Sequence, residues 1–463
     1  MAGRTTIDVS EIVENQKLSF FLVGLVAVSW IITFFDGFDM NVIAFAAPYF
    51  SQQYHIDRVS LGYIFSMGLV GTLIGGFLLG YLGDIIGRRP AVILATASFG
   101  ILTLCFTFAS GYWSLFWLRL LDGIPIGGML PLAWALNIEY APKRYRATIV
   151  TLIMIGYSVG TSLGGPIAIG LIPHYGWQSV FVFGGILSLI SAAVLFLMLP
   201  ESIRFLASKG GRAERIAPII RRIAPRTPVP ADAQFVLADE GGQARDFRPS
   251  LLFGGELRAI TPLLWLAYIA SSLAVFFFAT WTPLVFEAVG FTRTDAALAA
   301  TVNAVMGAVG GLLLMRFTDN RGAIAITIMP LVAIPLLLID GLAPIGHAGF
   351  FVVNGLMALF LVGGHFGLHS IAGIFYPSAY RANGAGWATS VAKIGSIAGP
   401  VAGGIVLTVL PVRNVFAVLA VCPAVFAVCI FVVGRIHSRI LGREALAAPD
   451  PSAALLAGGG PAD

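Results

Sequence analysis

Two aspartates lie inside the first long hydrophobic segment of the chain, in the run Phe34-Phe35-Asp36-Gly37-Phe38-Asp39. Residues 20–50 around them carry no other charge. A charged side chain at the centre of a bilayer costs about 2.5–3.5 kcal/mol on insertion scales, so such residues usually face a cavity or a partner. A spacing of three residues puts both on one helix face. We interpret them as proton carriers beside a polar path; a structural pair, neutralised by a basic residue of a neighbouring helix, is the alternative.

Two basic side chains also lie inside apolar segments, Arg119 in the fourth and Lys393 in the eleventh. At 1.5 Å of rise per residue, Arg119 lies about 10 Å and Lys393 about 15 Å from the nearer end of its helix. Asp39 lies about 13 Å from the corresponding end of its own helix, so it can meet Arg119. A buried ammonium needs an anion, and the second half of the sequence offers no acid at the depth of Lys393. We favour the carboxylate of a bound ligand as its partner, with Asp36 or Asp39 as the alternative.

His365 and His369 lie four residues apart on one face of the tenth predicted helix. We expect no metal there, because no further Cys, His or acidic residue lies nearby in the sequence to complete a site. Hydrogen bonding to a phenol or a carboxylate, or proton transfer, is the favoured interpretation, and packing is the alternative. Aromatic side chains within spans more often pack or anchor a helix at the interface. Further candidates for contact with a ligand are Trp134, Asn137, Tyr157, Trp281, Asn303, Asn354 and Trp387.

The composition indicates a membrane protein with many spans. Of the 463 residues, 58% are hydrophobic and 11% are charged, whereas soluble domains have about 25% charged residues. Twelve apolar segments are long enough to cross a bilayer as helices, so we predict an all-α polytopic membrane protein. The predicted spans are 20–50, 60–83, 90–110, 112–139, 147–172, 177–199, 259–288, 295–317, 323–342, 347–376, 383–410 and 413–434.

The distribution of positive charge predicts the orientation in the bilayer. Of the 28 Lys and Arg residues, Arg58, Arg293 and Arg413 fall on the side opposite the N-terminus, and Arg119 and Lys393 fall within spans. All others lie on the side of the N-terminus, and the positive-inside rule then places both termini in the cytoplasm. We expect a protein of the bacterial inner membrane that contacts lipid and binds no nucleic acid.

The chain repeats itself at an offset of about 235 residues, since Asp84 matches Asp319 and the segment 142–147 matches 377–382. Two six-helix repeats of the same orientation suit alternating access to a site between the halves. The predicted divisions are a cytoplasmic N-terminus (1–19), a first bundle (20–199), a central cytoplasmic loop (200–258), a second bundle (259–434) and a cytoplasmic tail (435–463). We expect a short surface helix at 212–223 and disorder in the Ala/Gly/Pro-rich tail.

The strongest motif is Gly80-Tyr-Leu-Gly83-Asp84-Ile-Ile-Gly87-Arg88-Arg89, between the second and third spans. It closely resembles the signature loop of the major facilitator superfamily, and this resemblance implies twelve transmembrane helices in two six-helix halves. The glycines permit a tight turn and a close approach of helices. The second copy, Asp319-Asn320-Arg321-Gly322, departs from the pattern.

Further motifs resemble the aromatic acid:H⁺ symporter family of that superfamily. They are Asp36-Gly37-Phe38-Asp39, Leu118-Arg119-Leu-Leu-Asp122-Gly123, Pro200-Glu201-Ser202-Ile203-Arg204 and the segment from Tyr376-Pro377 to Arg381. The resemblance covers nearly the whole chain and implies proton-coupled import of compounds such as 4-hydroxybenzoate, protocatechuate, vanillate, gallate or muconate. It also implies functional charges, which are Asp36, Asp39, Asp84, Arg119, Glu139 and Arg381.

We therefore expect a transporter that functions as a monomer, with the proton as coupling ion and no cofactor. An enzyme is disfavoured, because the sequence shows no nucleophile–base arrangement and no metal cluster. The alternatives are a proton-driven exporter of drugs or metabolites and an aromatic-acid sensor. The expected proton carriers are Asp36 and Asp39, and the expected substrate contacts are Arg119, Lys393, His365, His369, Trp134, Tyr157, Asn303 and Trp387. The expected gating residues are Asp84, Arg88, Arg89, Glu139, Arg146, Asp319, Arg321 and Arg381.

Overall fold

The structure is a computed structural model, which describes residues 6–16, 19–209, 213–223, 234–236, 248–255, 257–321, 323–376 and 381–447. In this part of the chain, eleven helices are long and apolar enough to cross a membrane. The twelfth predicted span, 323–342, is also helical, but its described apolar stretch, Ile326–Leu342, is shorter than the others. The predicted all-α fold with six long helices in each half is confirmed.

The helices follow one another with short connections. The first half contains α1 (Val9–Asn15), α2 (Phe20–Gln53), α3 (Arg58–Ile86), α4 (Arg88–Cys105), α5 (Tyr112–Tyr140), α6 (Lys143–Tyr175) and α7 (Gln178–Met198). The central segment contains α8 (Ile203–Ser208) and α9 (Ala213–Ile223). The second half contains α10 (Leu257–Val289), α11 (Arg293–Arg321), α12 (Ala323–Leu342), α13 (His347–Phe375) and α14 (Arg381–Val409), followed by α15 (Val412–Leu419) and α16 (Val421–Ala447).

The last span is two helices in succession, α15 and α16, and α16 continues to Ala447, beyond residue 434 where the predicted span ends. The tail expected to be disordered, 435–463, therefore begins inside α16 and is helical to Ala447, and residues 448–463 fall outside the described residues. The helix expected at 212–223 corresponds to α9.

A small cap covers one end of the first half. Its strands β1 (Thr6–Asp8) and β2 (Gln234–Val236) pair in parallel, with Ile7 opposite Phe235. The helices α1, α8 and α9 pack apolar side chains onto the bundle; these include Val9, Val13, Ile203, Ile216 and Ile220. The strand pairing was not predicted from the sequence. We call this end of the molecule, where α2 begins, the terminal side, and the opposite end, where α2 finishes at Gln53, the distal side.

The turn between α3 and α4 depends on a glycine. Gly87 has a φ of 105°, a left-handed value that favours glycine. A Cβ at this position would also overlap the Glu201 carboxylate, which approaches from the segment after α7. The backbone N–H of Arg89 donates to Glu201 Oε1 at 3.2 Å, so the carboxylate satisfies a free donor at the start of α4.

The two halves contact each other on the distal side. One apolar core includes residues of both halves, such as Phe65 of α3 and Trp281 of α10, whose ring centroids are 5.6 Å apart. On the terminal side each half has a separate core of its own. Among the described residues, the halves are therefore closed together distally and packed independently at the terminal side.

Small residues bring α3 and α14 together at the distal contact. A Cβ placed on Gly62 would lie 2.6 Å from the carbonyl oxygen of Pro400. Nearby, the Ser66 hydroxyl donates to the Ile397 carbonyl at 2.7 Å, and the Arg58 guanidinium donates to the carbonyl of Leu407. These backbone contacts require close approach, so a larger side chain at residue 62 is incompatible with distal closure.

Replacing Gly62 with leucine should hold the halves apart distally, because the new side chain overlaps the Pro400 carbonyl. We expect Leu407→Cys, buried at this contact, to react several-fold faster with a membrane-impermeant maleimide in Gly62→Leu, in a background without the three native cysteines. Gly80→Leu is the matched control, since a Cβ at Gly80 of the same helix meets open space. Equal labelling rates in the two proteins would contradict this account.

Candidate functional site

A cavity of about 120 Å³ lies between the two halves. Its walls come from both halves and are mostly apolar and aromatic; they include Ile43, Phe65, Leu69, Phe276, Phe278 and Phe366. An apolar cavity of about 150 Å³ in another protein holds benzene, so this space has the scale of one aromatic ring. Polar side chains interrupt the apolar walls; they include Asn41, Arg119, Tyr157, Ser158, Thr280 and Asn303.

A buried charge cluster borders the cavity at Arg119 of α5. Its Nη1 lies 2.6 Å from Asp39 Oδ2 and 3.4 Å from Asp122 Oδ2. The three residues are 3%, 1% and 0% exposed, respectively. The Thr103 hydroxyl donates to Asp122 Oδ1 at 3.2 Å. One guanidinium is therefore the partner of two carboxylates. Within the described residues, Asp39 Oδ1 and Arg119 Nε have no hydrogen-bond partner, so the cluster retains one free acceptor and one free donor.

The cluster can form because α3 lacks side chains where Arg119 passes. A Cβ on Gly68 would overlap the guanidinium at Nε. One turn further, Gly123 of α5 lies directly against the Gly68 carbonyl, so the two helix backbones are in contact there. The glycines thus confine the Arg119 side chain to the space between α2, α3 and α5, where the carboxylates are.

Asp36 lies one turn before Asp39 on α2 and is also buried. It interacts electrostatically with Lys393 of α14, in the other half, and with Asp39. Among the described residues, neither Asp36 nor Lys393 has an ion pair within 4 Å. The negative charge that acts on Lys393 in this structure is therefore the Asp36 carboxylate, which the sequence analysis gave as the alternative partner. The carboxylate of a bound ligand as the partner of Lys393 stays a prediction.

The other expected substrate contacts fall into two groups. Tyr157 and Asn303 line the cavity. His365 is buried beside α10, with Nδ1 3.0 Å from the Ser271 hydroxyl. Trp134 packs against the terminal-side core of the first half, and Trp387 is 41% exposed. The structure therefore brings two of these five side chains to the cavity wall.

Both tryptophans lie near the terminal ends of their helices. Trp387 stacks on Trp265 with ring centroids 6.1 Å apart, near the terminal end of α14, so its ring is engaged away from the cavity. Trp134 lies almost two turns before the terminal end of α5. The side chain of His369, the remaining candidate, lies outside the part of the chain that the structure describes.

The signature loop forms an ion network on the terminal side of the first half. Arg88 lies 2.8 Å from Asp84 and 3.3 Å from Glu139, so it links α4 to α3 and α5. The Ser202 hydroxyl donates to the Glu139 carboxylate and connects the network to the start of α8. None of these contacts joins the two halves, and a role in gating stays a prediction.

The remaining expected gating residues bind backbone carbonyls or are not described. Arg89 donates through Nη2 to the Phe196 carbonyl at 2.6 Å, and Arg146 donates through Nε to the Ala141 carbonyl at 3.1 Å. The side chains of three others lie outside the described residues; these are Asp319, Arg321 and Arg381.

Sequence reasoning missed a clasp on the distal side. The Arg293 guanidinium of α11 lies over the Tyr49 ring of α2 at 4.3 Å and donates to Gln52 Oε1 at 2.9 Å. It also lies 3.4 Å from Glu287 Oε2 of its own half. In the sequence, Arg293 contributes only to the predicted orientation in the bilayer. Its contacts with Tyr49 and Gln52 join residues more than two hundred positions apart, for which the sequence offers no signal.

Sequence reasoning also missed Asp122 as a site residue, although its signal was available. Asp122 follows Arg119 by three residues, a spacing at which helical side chains meet. The cavity-lining hydroxyls of Ser158, Thr161 and Thr280 carried no such signal, because serine and threonine are common in transmembrane helices as packing residues.

Comparison with known proteins identifies the family: the chain belongs to the major facilitator superfamily, whose family model, described as Major Facilitator Superfamily, matches residues 29–373. The chain is 31% identical over 447 residues to the gallate transporter of Pseudomonas putida, covering 96% of this chain and 98% of that protein. It is 32% identical over 407 residues to the 4-hydroxybenzoate transporter PcaK of Pseudomonas putida, covering 87% of this chain and 90% of that protein.

A solved structure shows the same fold. It is that of a bacterial homologue of the human lysosomal transporter Spinster, in an inward-facing and unoccupied conformation. The TM-score is 0.65 at 16% sequence identity, and the match covers 91% of this chain and 98% of that one. The predicted family is thus confirmed, and the protein is a multi-pass membrane transporter rather than an enzyme.

Replacing Arg119 with glutamine should lower the free energy of unfolding by about 3–5 kcal/mol, because Asp39 and Asp122 become buried charges without a counter-charge. Adding Asp122→Asn should recover part of the loss. Unfolding of the purified protein in detergent measures both effects. As control, Arg293→Gln removes the more exposed pair with Glu287 and should cost about 1 kcal/mol. Equal losses in the Arg119 and Arg293 variants would contradict the buried cluster.

Proposed function

We propose that this protein imports a small aromatic carboxylate together with a proton, by alternating access. The observation that carries the proposal is the cavity between the halves, which combines ring-sized apolar walls with the Arg119 cluster. The two relatives, a gallate transporter and a 4-hydroxybenzoate transporter, carry acids of this class by name. A ring-sized site with a cation at its wall suits such an acid better than a neutral polyol.

Charge balance supports coupling to a proton. Three carboxylates, Asp36, Asp39 and Asp122, face the two cations Arg119 and Lys393, so the region carries one net negative charge when all are ionised. A monoanionic substrate alone would double this excess, in surroundings where like charges repel far more strongly than in water. A proton that enters with the substrate restores the original charge. The proton belongs to the group of carboxylates as a whole, since neighbouring sites titrate together.

The mechanism follows from these contacts. With the distal side open, a proton neutralises the Asp36 and Asp39 pair and weakens the hold of Asp39 on Arg119. The substrate carboxylate then binds to the freed positive charge of Arg119 and to Lys393, while the ring packs on Phe65 and neighbouring apolar side chains. Distal closure and terminal opening follow. Neither ligand alone stabilises the occluded form, and this differential binding couples the two fluxes.

The direction of transport depends on the orientation in the membrane. We place the terminal side, with both termini, in the cytoplasm of a bacterial cell and the distal side outside the inner membrane, as the positive-inside rule predicts. Distal closure, as in this structure, then corresponds to the state that releases substrate inward. All elements of the proposed mechanism lie within one chain, so the monomer suffices and no cofactor is required.

Uptake into proteoliposomes with an acidic exterior tests the proposal. We expect accumulation of 4-hydroxybenzoate, protocatechuate, gallate or vanillate that a protonophore abolishes. Asp39→Asn should lose this accumulation at least tenfold, because the proton carrier is removed, yet retain exchange of labelled for unlabelled substrate across the membrane. Asp36→Asn should behave in the same way.

The matched control is Asp295→Asn, which removes an exposed carboxylate at the start of α11 that accepts a hydrogen bond from the Thr292 hydroxyl and does not line the cavity. It should transport like the wild type. If the acidic exterior instead drove extrusion of substrate from the proteoliposomes, the protein would be a proton antiporter and the proposed import would be wrong. Binding of these acids without any flux would instead favour a sensor.

A further inference from the structure

A chain of buried polar side chains runs from the core of the second half to the cavity. Asn354 of α13 donates through Nδ2 to Asp340 Oδ2 of α12 at 3.3 Å. Asn303 of α11 donates through Nδ2 to Asn354 Oδ1 at 2.9 Å. Asp340 and Asn354 are fully buried, and of the three only Asn303 lines the cavity. The proposed transport steps do not use Asp340, although a buried carboxylate is costly to keep.

The hydrogen bond between Asn354 and Asp340 gives the chain its direction. Asn354 turns its NH₂ group toward Asp340, which is the arrangement that an ionised carboxylate requires, because it can only accept hydrogen bonds. Its carbonyl oxygen then faces Asn303, which must donate in turn. Both amides would otherwise be free to turn over, because their two ends have nearly the same shape.

The counter-charge of Asp340 lies on the distal side. The Arg413 guanidinium interacts electrostatically with this carboxylate. Arg413 is itself held by the carbonyls of Ala343 and Ile345, to which it donates at 3.4 Å and 3.3 Å. Burial disfavours the charged form of Asp340, and the Asn354 amide and the Arg413 guanidinium offset part of that cost.

The cavity end of the chain carries a hydrogen-bond acceptor. One N–H of the Asn303 amide donates to Asn354 Oδ1, and its own Oδ1 accepts no hydrogen bond from the residues that the structure describes. Hydroxyls elsewhere on the wall use their protons locally: Ser158 donates to the Met154 carbonyl and Thr280 to the Phe276 carbonyl. An amide oxygen is thereby presented to whatever occupies the cavity.

We propose that Asp340 and Asn354 are positioning residues that hold Asn303 as an acceptor, and that Asn303 selects aromatic acids whose ring carries a hydroxyl group. This inference rests on the proposed function. Arg119 and Asn303 lie on walls from opposite halves, so a substrate with its carboxylate and its hydroxyl on opposite sides of the ring contacts both. A ring without a donor leaves Oδ1 desolvated and unpaired, which reduces its binding.

The test compares 3,4-dihydroxybenzoate with 3,4-difluorobenzoate, which has a similar shape and the same carboxylate but no ring donor. One hydrogen bond corresponds to about a tenfold difference in KM. We expect wild-type protein in proteoliposomes to show about this ratio in favour of the dihydroxy acid. Asn303→Ala should bring the ratio close to one. Equal KM values in the wild type would overturn this inference and leave the proposed function intact, whereas no transport of either acid would overturn both.

Asp340→Asn tests the positioning role. An amide at this position can donate or accept, so the chain loses its enforced direction and the ratio should fall between the wild-type and Asn303→Ala values. In the Asn303→Ala background, Asp340→Asn should change the ratio no further, because Asp340 acts only through Asn303. A loss of transport shared equally by the two acids, or a further fall of the ratio in the double variant, would show a role other than positioning and overturn the proposal.

Discussion

Charge balance around one buried guanidinium constrains most of the site. Arg119 is the direct partner of both Asp39 and Asp122, and all three side chains are buried. Removing either kind of charge leaves the other uncompensated, and this costs far more than an exposed ion pair contributes. The packing of α3 against α5 accommodates the buried arginine, because Gly68 has no side chain in the space that Arg119 occupies. An anion can enter such a site only if its charge is offset.

The same constraint links charge to conformation. Asp36 belongs to the first half and Lys393 to the second, so their electrostatic attraction acts across the interface that opens and closes in the proposed mechanism. The distal contacts at Gly62 and Arg293 hold the halves together on one side only. A change in the number of charges between the halves therefore changes the relative free energies of the two end states. In the proposed mechanism, coupling needs no moving part beyond the two bundles and the interface between them.

Sequence patterns predicted the fold because transmembrane helices are marked by length and hydropathy alone. They also predicted the proximity of Asp39 and Arg119, since helical rise converts position along a span into depth. Depth does not give rotation, however. Helices this uniformly apolar carry little information about which face points inward. Trp134 and Trp387 were expected at the cavity, but both lie near the terminal ends of their helices, away from it. Pairing of β1 with β2 and the chain from Asp340 to Asn303 join residues distant in sequence, which no local pattern reports.

The most direct test of the account is a count of the protons that bind with the substrate. Near pH 7.5 a benzoic acid is already ionised, since carboxyl groups lose their proton near pH 4, so any proton taken up binds to the protein. A pH indicator in weakly buffered detergent solution would report this during titration with 3,4-dihydroxybenzoate. The account predicts uptake of about one proton per substrate bound, reduced in Asp39→Asn. Binding without proton uptake, or with proton release, would contradict it.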